Sequence, residues 1–163
     1  MLSVLVVGMG QMGQSHALAH HGLPGSQIVG LVNRSKRALP EELQADPWLD
    51  CIEDGLALGT DMVVIATYSD SHAELAVQAM EAGAHVFVEK PLATTVEDAQ
   101  RVVETAKRLN KKLMVGYILR HHPSWMQLIT EARALGGPYV FRMNLNQQSS
   151  GAEWAIHKAL MQT

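Results

Sequence analysis

The 163-residue chain contains one cysteine, Cys51. A single thiol cannot close an internal disulfide, so the fold must rest on a buried apolar core. Cys51 itself, next to Ile52, reads as a buried and inert thiol. Charge of one sign is scarce as well. A net charge of −3 gives no electrostatic footprint for a polyanion, which argues against nucleic acid and an anionic membrane surface as partners. No apolar run approaches the length of a membrane span. Low-complexity tracts and solenoid repeats are missing too. The opening residues Met1-Leu2-Ser3-Val4 enter a strand pattern with no basic leader or small-residue cleavage site, so a cytoplasmic protein without a signal peptide is expected.

What is present is alternation. Apolar, β-branched runs occupy residues 2–7, 28–32, 62–66, 86–88 and 113–115, with a weaker run at 48–52. They are nearly continuous rather than alternating, as expected for strands buried on both faces of a parallel sheet. Helical patterns fill the gaps. Ser71-His72-Ala73-Glu74 and Thr94-Thr95-Val96-Glu97 both have the spacing of a capping box. Behind the first, Ala73, Ala76, Val77 and Met80 repeat at helical intervals and Gly83 closes the helix. Behind the second, Val96, Ala99, Val102, Val103, Ala106 and Leu109 form one stripe. Strand–helix alternation with right-handed crossovers predicts an α/β fold, a Rossmann-like doubly wound parallel sheet.

The pattern changes after Gly116. Residues 123–135 read as a helix with Trp125, Leu128, Ile129 and Ala132 on one side, ended by Gly136-Gly137-Pro138. In Tyr139-Val140-Phe141-Arg142-Met143-Asn144-Leu145-Asn146, apolar and polar residues alternate with a period of two, predicting a half-buried antiparallel strand. Residues 151–163 suggest a short helix. The organisation is therefore a dinucleotide-binding domain over residues 1–120, then over 121–163 the beginning of a second, incomplete α+β domain. A lone strand with one apolar face invites pairing with a second copy, so a homo-oligomer formed through it is expected.

Gly8-x-Gly10-x-x-Gly13 directly follows the first strand and opens a helix. Gly8 permits a tight turn, Gly10 allows backbone to approach a pyrophosphate, and Gly13 lets helix pack on strand. Gln11 and Met12 lie inside the motif, where helix N-terminal amides would face the phosphates. At the end of the second strand, an NAD site carries an acid for the ribose hydroxyls. This chain has Asn33 there, followed by Arg34, Ser35, Lys36 and Arg37. No carboxylate repels a 2′-phosphate and Arg34 can bind one, so NADP is preferred and NAD is the alternative.

The fifth strand ends on Glu89-Lys90-Pro91, an odd place for charge unless chemistry needs it. In an open parallel sheet ligands bind beyond the carboxyl ends of the strands. Lys90 would then stand near the nicotinamide and stabilise an alkoxide. Glu89 would pair with Lys90 or hold a nicotinamide or ribose group, and a cis Lys90–Pro91 bond is plausible. Thr67, Tyr68 and His72 leave the fourth strand on the same side.

The series Gly8-Met9-Gly10-Gln11-Met12-Gly13, the stretch 66–95 containing Glu89-Lys90-Pro91, and Val115-Gly116-Tyr117-Ile118-Leu119-Arg120-His121-His122-Pro123 together resemble the glucose-fructose oxidoreductase, inositol dehydrogenase and rhizopine-catabolism (Gfo/Idh/MocA) family. The resemblance implies a nicotinamide-dependent oxidoreductase acting on sugars, polyols or related carbonyl compounds. It makes Lys90 the lysine of the family's Glu-Lys-Pro motif and puts Glu89 and Arg120 at the cofactor. One departure is Tyr68-Ser69, where members often carry Pro-Asn after the Ala-Thr pair. The resemblance also implies an Asp-x-x-x-His pair from a second domain, yet no Asp follows Asp98, and Glu153-x-x-x-His157 only imitates the spacing. Weak or absent turnover by these 163 residues is therefore expected. A non-catalytic dinucleotide-binding or sensing module and a dimerising scaffold remain as alternatives. His16, His20 and His21 lack an acid or cysteine nearby in sequence, so a solvated helix face is expected and no metal site. His121 and His122 receive no role.

Overall fold

A computed structural model describes residues 1–144. Its first unit, Met1–His121, is built on six parallel strands in the order β3-β2-β1-β4-β5-β6. These are β1 (Leu2–Val7), β2 (Ser26–Val32), β3 (Trp48–Leu49), β4 (Met62–Ile65), β5 (His85–Val88) and β6 (Leu113–Val115). The helices are α1 (Gln11–His21), α2 (Ile52–Leu56), α3 (His72–Glu81) and α4 (Val96–Arg108). The chain leaves β1 to one side and returns for β4 on the other, so the strand order switches at the β1/β4 boundary.

The apolar runs are buried on both faces, and the period of two sorts them. Val4 and Val6 join Ala17 of α1, Ile28, Leu31 and Val64 in one core. Leu5 and Val7 point the other way, into a core with Val63, Ile65, Val86 and Val88 and the inner faces of α3 and α4. Bringing so much apolar side chain out of water, at roughly 25 cal/mol per Å², is the main favourable term. Ala73, Ala76, Val77 and Met80 are buried as their spacing predicts, and Gly83 turns the chain with φ +97°.

Both capping boxes differ from expectation. Ser71 lies in a 3-10 turn with φ −96° and ψ −7°, not in the extended conformation an N-cap needs, and caps nothing. Its hydroxyl donates to the Tyr68 carbonyl, while Glu74 accepts two bonds from Arg101 of α4 at 3.1 Å. The second cap is real but starts one residue later. Thr95 is extended, accepts from the Asp98 amide at 3.1 Å and donates to its carboxylate. Val96 is accordingly a first-turn residue, 67 % exposed and outside the stripe. Cys51 precedes α2 and is half-buried rather than enclosed.

The second unit begins at His122. Its helix α5 (Pro123–Leu135) has proline at its start and Gly136 in the left-handed region at its end, as the breakers predict. Trp125 and Ala132 are half-buried, Leu128 and Ile129 exposed, and Trp125 packs on Phe141 with ring centroids 6.0 Å apart. The predicted strand is not formed over 139–144. An alternating pattern becomes a strand only with a hydrogen-bonding partner, and no strand pairs with it among the described residues. Leu145, Asn146, Glu153, Trp154, His157 and the expected last helix lie outside the described residues.

The histidines of α1 are not one solvated face. His20 is half-buried with Nδ1 3.2 Å from Ser26 Oγ, and His21 Nδ1 lies 3.3 Å from Asp46. Burial, then the neighbouring His16, holds the His20 pKa below the usual imidazole value. The folded state thus binds fewer protons at His20 than the unfolded chain, and stability drops as pH falls below about 6.5. His20→Asn should show a smaller drop in unfolding midpoint than the wild type between roughly pH 8 and pH 5.5, as measured by urea denaturation.

Candidate active site at the carboxyl rim

Four backbone hydrogen bonds continue the ladder one residue past the strands. Gly8 donates to Val32, Ala66 to Val7, Glu89 to Ile65 and Gly116 to Val88, each at 2.8 Å. The register pairs Val7 with Val32 and Ile65, Ile65 with Val88, and Val88 with Val115. Asn33, Gly8, Ala66, Glu89 and Gly116 therefore stand side by side along one edge. Glu89 is two strand spacings from Gly8, roughly 10 Å. All the residues expected to form the site begin from this rim.

The glycine loop is shaped by close approach on one side and open space on the other. Gly8 has φ +95°, and a Cβ there would come within 2.6 Å of the Ala66 carbonyl. A Cβ on Gly13 would lie 1.7 Å from the Gly8 carbonyl oxygen, so helix and loop touch through backbone alone. A Cβ on Gly10 would meet nothing within 4 Å among the described residues. It begins α1 in an extended conformation with no side-chain cap and no acid in the first turn. Gln11 and Met12 are exposed beside it. The uncapped amides and the positive end of the helix dipole make this a fitting seat for an anion.

Polar side chains brace the loop from behind. Asn33 accepts from the Met9 amide at 2.9 Å and donates to the Ser35 carbonyl at 2.7 Å. One amide hydrogen and one lone pair of Asn33 remain for a ribose. Gln14 donates to the carbonyls of Met9 and Ala38, both at 3.2 Å. Arg34 is exposed. Beyond it, Lys36 and Arg37 line a cavity of about 400 Å³ with Leu39, Gln44, Asp46 and Trp48.

At the other end of the rim, Glu89 is buried, only 8 % exposed. It does not pair with the Lys90 ammonium. Its Oε1 accepts from His16 Nε2 at 2.8 Å, and Oε2 accepts from the Lys90 backbone amide at 3.3 Å. A carboxylate only accepts, so Nε2 carries the hydrogen. Phe87 and Glu89 face the α1 side of the sheet because they are two residues apart, and His16 also meets the Phe87 ring edge-on at 4.9 Å. Lys90 is exposed, and among the described residues no carboxylate lies within ion-pair distance of it. The Lys90–Pro91 bond is cis.

His72, expected at the cofactor, is instead enclosed at 1 % exposure. Its Nδ1 lies 2.7 Å from the Pro91 carbonyl and its Nε2 3.1 Å from that of Thr67, so it ties the loop after β4 to the loop after β5. Thr67 bonds the Ser71 hydroxyl at 2.7 Å. Tyr68 is exposed beside it. Arg120, in the turn after β6, is exposed with its guanidinium 5.4 Å above the Tyr117 ring. His16 is the rim residue missed in the sequence. The signal was there: it lies three residues after Gly13, on the helix face that must meet the sheet. Among the described residues no cluster of histidine, cysteine and carboxylate could hold a metal, and no helix is long and apolar enough to cross a membrane.

Residues 2–117 match the family model described as an oxidoreductase family with an NAD-binding Rossmann fold, GFO_IDH_MocA. The chain belongs to the Gfo/Idh/MocA oxidoreductase family. An inositol 2-dehydrogenase of Paracoccus denitrificans is 33 % identical over 98 % of this chain and 51 % of its own length. Two solved structures share the family's sheet. The UDP-N-acetylglucosamine 3-dehydrogenase GnnA of Acidithiobacillus ferrooxidans is 27 % identical, with a TM-score of 0.72 over 80 % of this chain and 41 % of its own. GenD2 of gentamicin A biosynthesis, solved in complex with NAD, is 28 % identical, with a TM-score of 0.75 over 80 % of this chain and 38 % of its own. The chain spans about half the length of the curated relatives it matches.

Two glycines of this family's loop should respond oppositely to the same methyl group. Gly13→Ala should lose about 3 kcal/mol or more, because its Cβ meets backbone that cannot yield. Gly10→Ala should unfold within about 0.5 kcal/mol of the wild type, since its backbone suits alanine and its surroundings are open. Denaturant melts of both variants check this.

Proposed function

We propose that this chain is the cofactor-holding part of a nicotinamide-dependent oxidoreductase that acts on a sugar, polyol or related carbonyl compound. One observation supports this most. The shared register puts the glycine loop that opens into an uncapped helix on the same rim as the strand end that carries Lys90, unpaired among the described residues. Their first residues, Gly8 and Glu89, stand about 10 Å apart at backbone level on either side of the topological switch. That separation suits a dinucleotide lying across the crevice.

The residues fit the group. First-turn amides at Gly10, Gln11 and Met12 would hold the pyrophosphate, and Gly10 leaves room for it. Asn33 and Arg34 would receive the adenosine ribose, with Arg34 favouring NADP because no acid stands there to repel a 2′-phosphate. Thr67 and Tyr68 wall the middle of the cleft, and Glu89 and Arg120 lie toward the nicotinamide end. When bound, the nicotinamide supplies hydride chemistry. Lys90 would donate a hydrogen bond to the substrate oxygen and stabilise negative charge developing there. A placed proton donor is worth roughly two to four orders of magnitude. With no Asp after Asp98, these residues alone should turn over poorly.

Fluorescence titration tests the reading. NADPH should bind saturably and about tenfold more tightly than NADH, and Arg34→Ala should erase that difference. No saturable binding of either would leave only a scaffold. In a sugar and polyol screen, any turnover by the chain should vanish in Lys90→Ala while cofactor binding stays. Turnover that survives the substitution would remove Lys90 from the chemistry.

A further inference from the structure

We infer that His16 is a positioning residue for the nicotinamide end of the cleft, acting through Glu89 to keep the Lys90 ammonium free. The inference rests on the reading of the rim as a dinucleotide site and assigns a role that the glycine and lysine motifs leave out.

The case begins with a buried charge. Glu89 follows a buried strand and is itself 8 % exposed, and an ionised carboxylate there needs strong partners. The nearest cation in sequence is Lys90, yet Glu89 turns away from it. His16 donates to Oε1 at 2.8 Å and the Lys90 backbone amide donates to Oε2 at 3.3 Å. On the β6 side the missing side chain of Gly116 makes room for the carboxylate, which a Cβ there would approach to 3.2 Å. His16 itself is half-buried and pinned by the edge of Phe87. The carboxylate is therefore held by two hydrogen bonds, one from α1 and one from its own following amide, in a space that Gly116 of the rim leaves for it.

Two consequences follow. Without His16 the carboxylate loses its shortest hydrogen bond, and the one cation adjacent in the chain is the Lys90 ammonium. An ion pair there would neutralise the group meant for a substrate oxygen and swing the carboxylate into the cleft. His16 also sits on the helix whose first turn offers the phosphate seat, one helical turn after Gly13. A single path, α1 to His16 to Glu89 to Lys90, thus links the phosphate end of the cleft to the reactive end.

The test compares a whole cofactor with its nicotinamide-free part in the full chain. Calorimetry would follow the tighter-binding of NADPH and NADH, and in parallel ADP-ribose or its 2′-phosphate. His16→Ala should weaken the dinucleotide about tenfold, because a carboxylate swung into the cleft must be moved aside before the nicotinamide end can seat, and leave the nicotinamide-free ligand within about twofold. His16→Gln, which keeps a donor at similar reach, should recover most of the loss. Adding His16→Ala to Glu89→Gln should cost nothing further, because both act on one contact. Equal weakening of both ligands in a variant that melts normally would show a general loosening of α1 and overturn the inference, as would no change in either. A wild-type chain that binds the nicotinamide-free ligand and the dinucleotide equally tightly would overturn it too. Binding of neither would sink the dinucleotide reading itself.

Discussion

The parallel ladder and its register govern everything at the rim of this protein. Because all six strands run the same way, residues distant in sequence leave the sheet at one edge, and the bonds from Gly8, Ala66, Glu89 and Gly116 hold them abreast. A slip of one residue in β5 would turn Glu89 toward the core formed with α3 and α4, where its neighbours would be aliphatic. The fit of Phe87 into the core on the α1 side and the desolvation cost of a carboxylate among aliphatic side chains oppose that slip. Apolar packing, which has no direction of its own, thereby sets where a carboxylate and a lysine emerge.

Polar groups beneath the rim are satisfied by the protein, which leaves the upper surface open. Asn33 and Gln14 fasten the glycine loop, His72 fastens the loop after β4 to that after β5, and His16 fastens Glu89. Those from Asn33, from His16 and between His72 and Pro91 join segments far apart in the chain, so they stiffen the cleft floor rather than any one helix. Among the described residues, the helix start at Gly10 and the side chain of Lys90 stay unengaged. The division suits a site that must meet its ligand with little rearrangement.

Strands and glycine loop were legible because each depends on short-range information. Val4 to Val7 carry their own burial signal, and Gly8, Gly10 and Gly13 carry their own steric one. The errors share a cause. Ser71 and Glu74 have capping spacing, yet the approach of α4 gave Glu74 to Arg101, and a 3-10 turn took Ser71. His72 looked available for a ligand because its two carbonyl partners, at Thr67 and Pro91, belong to different loops. The segment from Tyr139 alternates correctly, but a strand is a property of a pair, and pattern alone cannot supply the second member.

Taken alone, the sequence determined the element order and the doubly wound sheet, since hydrophobic period and glycine placement follow from local sterics and solvation. Tertiary structure alone decided that His16 would meet Glu89, that Glu89 would shun Lys90, and that His72 would be enclosed. Those outcomes turn on which side chain lies within 3 Å of which after folding. Residues 73 positions apart, like His16 and Glu89, carry no mutual signal until the sheet brings their helix and strand together.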